Sequence, residues 1–422
     1  MANEVERFSS LPSSLRERVE MIEEALESAP HPFIYRLLMD EGTKHVIEEY
    51  KRKRAVLRSK SSLEGAVAKT MGIRRVDEVR VKALSDAFAT GQFSAVGVDA
   101  GVNYLNLEVA YVPLCCAIAA LCTCFDVADF VPRALEHVPL WDDEIYPEWR
   151  TLVISYRLQF ELVREAVERW RPDVVFFDGP FLYSQLMRGQ KGTSYWSDFE
   201  RALEEGVLTL DFCARRGVPV VGFVKRPEGC SVSKKLVRAG YLDRLVRDTV
   251  ALKWMRPGYY LAPMRYVRRA GELGPHEVPS RMAEEYFERA RRLGVDEHVV
   301  SIVFTYVGTG YSFPYKLEIP EPFADRLDEL VVITLALRAA RGIPFPIYAA
   351  DSLTKVTNTT RDLFLLSLRA RLAEEVEAGR LSEEDLDMFL PRHGESYGLV
   401  EAEFERSLAR TAGSRSRRVG GA

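Results

Sequence analysis

Cysteine and histidine are both scarce. Six of each occur in 422 residues, and the cysteines, at 115, 116, 122, 124, 213 and 230, form no C-x-x-C pair. A zinc site therefore has little support. Cys115, Cys116, Cys122 and Cys124 lie inside one apolar run, where a thiol behaves as a small core residue. The opening segment, Met-Ala-Asn-Glu-Val-Glu-Arg, lacks the basic-then-apolar order of a secretory leader. The longest apolar run, about 109–124, contains Pro113 and falls short of the roughly 20 residues a membrane span needs. A cytoplasmic protein with no membrane partner is expected. No G-x-x-x-x-G-K-[ST] phosphate loop occurs, which disfavours sugar kinase and ATPase readings. Charge of one sign is lacking too. With 58 basic and 62 acidic residues the net charge is −4, which excludes a uniformly basic nucleic-acid coat but leaves room for a local basic groove.

What is present is ordinary globular material, 47% hydrophobic and 28% charged, enough for a sizeable core. Residues 1–90 read as a helical N-terminal extension. Its basic run Lys51-Arg-Lys-Arg54, joined by Arg58 and Lys60, is either a solvated helix face or a contact with a DNA backbone or a partner. From Phe93 onward the pattern changes. Ser94–Asp99, Tyr104–Ala110 and the apolar run to Cys124 predict three adjacent antiparallel strands. A helix over Trp149–Arg169, a buried strand ending at Asp178, a helix over Ser197–Arg215 and a strand Val220–Lys225 follow. Helices are expected around 236–255 and 280–293, strands at His298–Tyr306 and Tyr315–Ile319, then helices Glu321–Arg341, Asp351–Glu377 and Glu383–Leu390. Strands alternating with helices mean α/β architecture. No repeat or linker divides the chain. One elaborated domain over 91–395 is expected, followed by a C-terminal segment 396–422 whose low-complexity tail, from about 413, reads as disordered.

Three segments set an acid at or beside the end of an apolar run: Val98-Asp99-Ala-Gly101, Phe177-Asp178-Gly-Pro180 and Ala349-Ala-Asp351-Ser352. An Asp-Gly after a strand is often just a turn. Two such sites in one α/β domain carry more weight, because ligands gather at strand ends and a buried carboxylate needs a partner or a metal. Clustered carboxylates suit two-metal phosphodiester hydrolysis, since hard divalent ions take oxygen ligands. A further carboxylate is expected from a helix packed on these strands. Glu161 is the candidate, with Glu165 one turn on and Glu168 a weaker one.

In their order and spacing these segments resemble the NurA nuclease family, archaeal nucleases that work with the HerA helicase-translocase. The matching pieces are Val-Gly-Val-Asp99-Ala-Gly, the Glu161 helix, Val-Val-Phe-Phe-Asp178-Gly-Pro-Phe-Leu, Val-Gly-Phe-Val-Lys225-Arg, Tyr315-Lys-Leu-Glu-Ile-Pro320 and Pro346-Ile-Tyr-Ala-Ala-Asp351. Together they span about 93–365. Asp99 is followed by Ala-Gly where many members have Gly-Ser. The resemblance implies an RNase H-like mixed-sheet core flanked by helices and a manganese-dependent (or magnesium-dependent) DNA nuclease. It also implies 5′→3′ exonuclease and single-strand endonuclease action, a homodimer, and a hexameric HerA-type partner in DNA end resection and double-strand break repair. Carried over, Asp99, Glu161, Asp178 and Asp351 would be the metal ligands.

Other positions bear on substrate. Lys225 directly follows a buried strand and would take part in catalysis and contact a phosphate. Lys225-Arg226 and Lys234-Lys235 flank the loop 228–233, whose backbone N–H groups either cradle a phosphate or line a polar surface. Arg226 and Lys235 are DNA-binding candidates. Tyr306, Tyr311, Phe313 and Tyr315 either stack on single-stranded bases or pack in a sheet; Tyr311 and Tyr315 are taken as the DNA contacts. Two other readings remain: an RNase H-like nuclease acting on RNA, and a non-catalytic nucleic-acid-binding scaffold.

Overall fold

The computed structural model describes residues 60–391, apart from 136, 142–145, 269–272, 275 and 311–312, together with residues 21, 39 and a helical stretch at 42–51. Most of the basic run at 51–58 and all of 392–422, including the expected tail, lie outside the described residues.

An 11-stranded mixed sheet forms the centre. Its strands are β1 (Ile73–Arg75), β2 (Ala95–Asn106), β3 (Tyr111–Thr123), β4 (Asp126–Ala134), β5 (Val174–Asp178), β6 (Val220–Val224), β7 (Tyr259–Leu261), β8 (Met264–Val267), β9 (Glu277–Pro279), β10 (Ile302–Val307) and β11 (Tyr315–Pro320). The main order is β1-β7-β10-β11-β6-β5-β2-β3-β4, with β8 and β9 branching from β10. β2, β3 and β4 form an antiparallel meander. β5 lies parallel to β2, and β6 parallel to β5. Strand order β4-β3-β2-β5-β6 with this sense is the RNase H-like core. β11 and β10 extend it antiparallel.

The helices used below are α1 (Lys60–Met71), α2 (Glu78–Ala89), α3 (Pro147–Trp170), α4 (Ser194–Arg216), α5 (Ser231–Arg238), α6 (Arg281–Leu293), α7 (Leu327–Ala336), α8 (Phe345–Leu353) and α9 (Asn358–Glu377). A strand presents alternate residues to opposite faces, and both faces here are covered. Val96 and Val98 of β2, Val175 and Phe177 of β5, and Val220 of β6 share a core with α3, α4 and α6. Ala95, Val174, Phe176, Val221 and Phe223 share the opposite core with α7, Ile347 and Ala350 of α8, and Phe88 of α2. Residues 60–90, placed in the extension from sequence, thus supply an edge strand and a core aromatic to the main body. No helix among the described residues is long and apolar enough to cross a membrane.

Several elements depart from the sequence pattern. The stretch from Ala95 to Asn106 is one strand rather than two. The third strand of the meander is Asp126–Ala134, a polar segment with Pro132, composition suited to a sheet edge. Its hairpin turn is Cys124-Phe125, both at positive φ (54° and 53°). Such two-residue turns normally advertise themselves with Asn or Gly. The helix expected over 236–255 stops at Arg238, and Gly240 follows at φ 75°. Asp351 opens no helix and follows no strand. It lies in the second turn of α8, which a break at Thr354–Thr357 separates from α9.

Candidate active site

The site begins with strand parity. Asp99 shares its face of β2 with Gly97 and Gly101, the face opposite Val96 and Val98. A Cβ on Gly97 would stand 1.9 Å from the Pro346 carbonyl oxygen, and one on Gly101 would stand 1.7 Å from that of Thr354. The two glycines therefore make a bare track on either side of Asp99, along which α8 and its exit turn lie in direct contact with the strand. That approach carries Asp351 to Asp99. Asp178 ends β5 on the same face, since Phe177 points the other way into the α3 core. Lys225 follows β6 in phase with Val221 and Phe223 and emerges there too.

The result is one polar cluster on the α8 face. Asp99, Asp178 and Asp351 each offer a carboxylate oxygen within 4.8 Å of the others. Lys225 Nζ donates to Asp178 Oδ2 at 2.7 Å and to Asp351 Oδ1 at 3.2 Å. Asp99 is only 8% exposed. Its Oδ1 accepts the Ala100 N–H at 2.8 Å, and its Oδ2 accepts the Thr354 hydroxyl at 3.2 Å. The Asp351 side chain is 45% exposed, so the cluster is closed at Asp99 and open at Asp351.

Electrostatics follow the crowding. Burial, and after it the charge on Asp178, push the Asp99 carboxyl up to about 8. Burial raises Asp178 as well, against the pull of Lys225. Burial opposes the charge on Lys225, but Asp178, Asp99 and Asp351 outweigh it and hold the ammonium above its ordinary value. Three carboxylates with one ammonium are under-neutralised, which is why the carboxyls of Asp99 and Asp178 are raised. The donor set is all oxygen, the preference of hard divalent ions, and its span matches the roughly 4–5 Å between opposite ligands of a six-coordinate ion. The residues fit a divalent metal.

Comparison with curated protein sequences returns no match. Residues 148–356 match the NurA domain family. The chain belongs to the NurA family. The matched stretch contains Asp178, Lys225 and Asp351; Asp99 precedes it. Among solved structures, the NurA nuclease from Sulfolobus solfataricus superposes with a TM-score of 0.51 at 10% identity, over 81% of this chain and 97% of that one. At such identity the match speaks for the fold. A NurA structure with manganese aligns over 79% of this chain and 98% of its own, at 10% identity and a TM-score of 0.46. One bound to dAMP and manganese aligns over 76% and 94%, at 11% identity and a TM-score of 0.44.

Of the site residues expected for a NurA chain, Asp99, Asp178, Asp351 and Lys225 come together. Glu161 does not join them. It lies on α3, the helix covering the opposite sheet face, where Arg133 of β4 holds it at 2.8 Å and also binds Glu165. The α3 residue that reaches the Asp178 end of β5 is Tyr156, whose hydroxyl oxygen lies 2.9 Å from where a Cβ on Gly179 would stand. At about 100° per residue, Tyr156 and Glu161 point roughly 140° apart.

The substrate candidates also separate. Arg226 is exposed beside Lys225. Lys235 on α5 donates to the Glu277 carbonyl at 3.0 Å. Tyr315 is buried, its ring 5.0 Å from Phe223 and its hydroxyl on the Arg341 carbonyl at 2.6 Å; this is sheet packing, not a base platform. Tyr311 lies outside the described residues. The loop 228–233 offers no free phosphate cradle. Its N–H groups at the start of α5 are taken by Asp248, a fully buried carboxylate that accepts from Ser233 N at 2.9 Å and from the Tyr306 hydroxyl at 2.7 Å. Thr354, Gly97 and Gly101 were missed as site residues. The glycine spacing in Gly97-x-Asp99-x-Gly101 is the signal that could have found the track.

Proposed function

We propose that this NurA-family chain is a divalent-metal-dependent nuclease that hydrolyses DNA phosphodiester bonds at Asp99, Asp178 and Asp351. The observation that carries the reading is the convergence of three carboxylates, from two strands and a helix, within 4.8 Å. Acids brought this close repel one another, and the single ammonium of Lys225 leaves three carboxylates short of positive charge, which a bound cation would supply. Asp99 and Asp178 would hold the ion from the buried side and Asp351 from the open side, with manganese preferred and magnesium serving. A bound ion would supply charge neutralisation and an acidified water for attack on phosphorus. Thr354 orients Asp99 by donating to Oδ2. The Lys225 ammonium, freed from Asp178 and Asp351 when a cation takes its place, would meet the scissile phosphate.

The finer assignment rests on the family. It comprises 5′→3′ exonuclease and single-strand endonuclease action by the unit at 91–395, in a homodimer coupled to a HerA-type translocase, in end resection and double-strand break repair. A net charge of −4 supports the partner: a nuclease that held DNA alone would gain from a positive field, whereas a motor that delivers the strand removes that need. The test is incubation with 5′- and 3′-end-labelled single- and double-stranded DNA, with and without Mn²⁺. Metal-dependent digestion, sensitive to chelator, is expected, with RNA resistant. A folded chain that leaves every DNA intact in Mn²⁺ overturns the reading.

A further inference from the structure

Behind Asp178, on the α3 face, lies a second carboxylate that the sequence reading passed over. Glu318 of β11 is completely buried. One oxygen accepts two consecutive backbone N–H groups, from Phe181 at 2.8 Å and Leu182 at 3.3 Å. The other accepts from Lys316 Nζ at 2.5 Å and from the Tyr266 hydroxyl at 3.3 Å. Lys316 in turn donates to the Tyr266 hydroxyl at 3.0 Å. The two amides belong to the segment that leaves Asp178. That segment starts with the Gly179 N–H on the Phe223 carbonyl at 3.0 Å, and the Tyr286 hydroxyl closes on the Phe181 carbonyl at 2.9 Å.

The route explains a glycine. Glu318 is paired across the sheet with Gly222 of β6. A Cβ at 222 would stand 3.0 Å from the Gly179 oxygen, 3.3 Å from Phe181 Cδ2 and 3.3 Å from Glu318 Cβ. The chain after Asp178 thus passes over β6 where that strand has no side chain and is fastened on the next strand beyond. Gly179 itself is at φ 125°, a conformation open to glycine and costly for other residues. Left alone, such a turn would be free to swing.

A buried ion pair is a poor source of stability, because desolvation cancels most of the attraction and apolar replacements often do as well. Its retention here is better explained by what it fixes. We propose that Glu318, held in place by Lys316 and Tyr266, is the positioning residue for Asp178: by holding the Phe181 and Leu182 amides it sets the end of β5 and so the aim of the Asp178 carboxylate into the metal cluster. The inference rests on the metal-dependent nuclease reading. It predicts that metal affinity depends on a residue that lies on the other face of the sheet and ligates nothing.

The test uses the full chain and Mn²⁺, titrated by electron paramagnetic resonance, with hydrogen exchange read at Phe181 and Leu182. Glu318→Asp keeps both charges but withdraws the carboxylate by one methylene. It should lose protection at these two amides and bind Mn²⁺ 10–100-fold more weakly, the usual effect of disturbing a support behind a ligand. Glu318→Gln combined with Lys316→Met restores a neutral acceptor of full length and should recover affinity to within a few-fold. A Glu318→Asp chain that binds Mn²⁺ like wild type overturns the proposal. Weakening of both variants in proportion to their loss of thermal stability does so too, leaving Glu318 a purely structural role. A wild-type chain that binds no Mn²⁺ sinks the nuclease reading along with this one, so the two failures are distinguishable.

Discussion

Metal and proton should compete for the Asp99 cluster. Metal-free, the Asp99 carboxyl titrates at about 8 because it is buried beside Asp178. Below that pH a proton must leave before a cation can be held, so apparent affinity should fall about tenfold per pH unit. From pH 8, where half of the carboxyl is already protonated, to pH 6 the loss is about 50-fold, or about 2.3 kcal/mol. Isothermal titration with Mn²⁺ in buffers of different ionisation enthalpy counts the protons directly. Close to one proton should be released per ion at pH 6.5 and almost none at pH 9. Folding stability should carry the same signature. The folded pKa is raised above the unfolded value of 3.8, so the metal-free fold binds a proton that the unfolded chain lacks between about pH 4 and pH 8. That contribution is complete below about pH 4 and is lost as pH rises through about 8. The melting temperature of the metal-free protein should therefore decline from pH 5 to pH 8, and Asp99→Asn should remove much of the decline. Binding that is independent of pH between 6 and 8, with no proton released, would refute the argument.

Asp178→Asn should abolish cleavage by several orders of magnitude while the melting temperature of the metal-free chain holds or rises, because a repelling buried charge is removed; an active variant would end the assignment. Lys225→Ala should cut cleavage by about 10²–10³-fold while Mn²⁺ affinity at pH 8.5 stays level or improves, the competing ammonium having gone. A collapse of affinity would show that Lys225 holds the acids in place instead. Gly101→Ala must push the Thr354 carbonyl from 1.7 Å, at an overpacking cost of about 1–3 kcal/mol. It should open the Asp99–Asp351 approach and weaken Mn²⁺ at least tenfold in calorimetry. Glu161→Ala should leave DNA cleavage within a few-fold of wild type, since its partners are Arg133 and Arg157; loss comparable to Asp178→Asn would return Glu161 to the metal site.

What was legible in the sequence follows from periodicity. A strand's period of two, read with buried neighbours such as Val98, Phe177 and Phe223, is enough to send Asp99, Asp178 and Lys225 to one place. Turn residues Asp-Gly after Phe177 mark where β5 ends. Asp351 was found for a mistaken reason: Ala349-Ala350 imitates the end of a strand, but Pro344 and Pro346 start a helix there, and only the glycine track on β2 explains how a helical acid reaches a strand acid. Helix phase is harder to read. α3 packs on a sheet that is covered on both sides, so an acid one turn from a buried residue can face the strands or an arginine on a neighbour, and sequence spacing does not choose between them. Arg133, on an edge strand with too polar a pattern to be recognised as one, makes the choice for Glu161. The same limit hid Glu318. Within Tyr315-Lys-Leu-Glu-Ile-Pro320 the alternation of apolar Tyr315, Leu317 and Ile319 with charged Lys316 and Glu318 reads as one dry and one wet face. Both faces are dry, and the charged one is made so by the loop that leaves Asp178 and by Tyr266 and Tyr286. An alternating strand therefore understates burial where a loop folds back over it, and polar residues in that position report on the loop rather than on solvent.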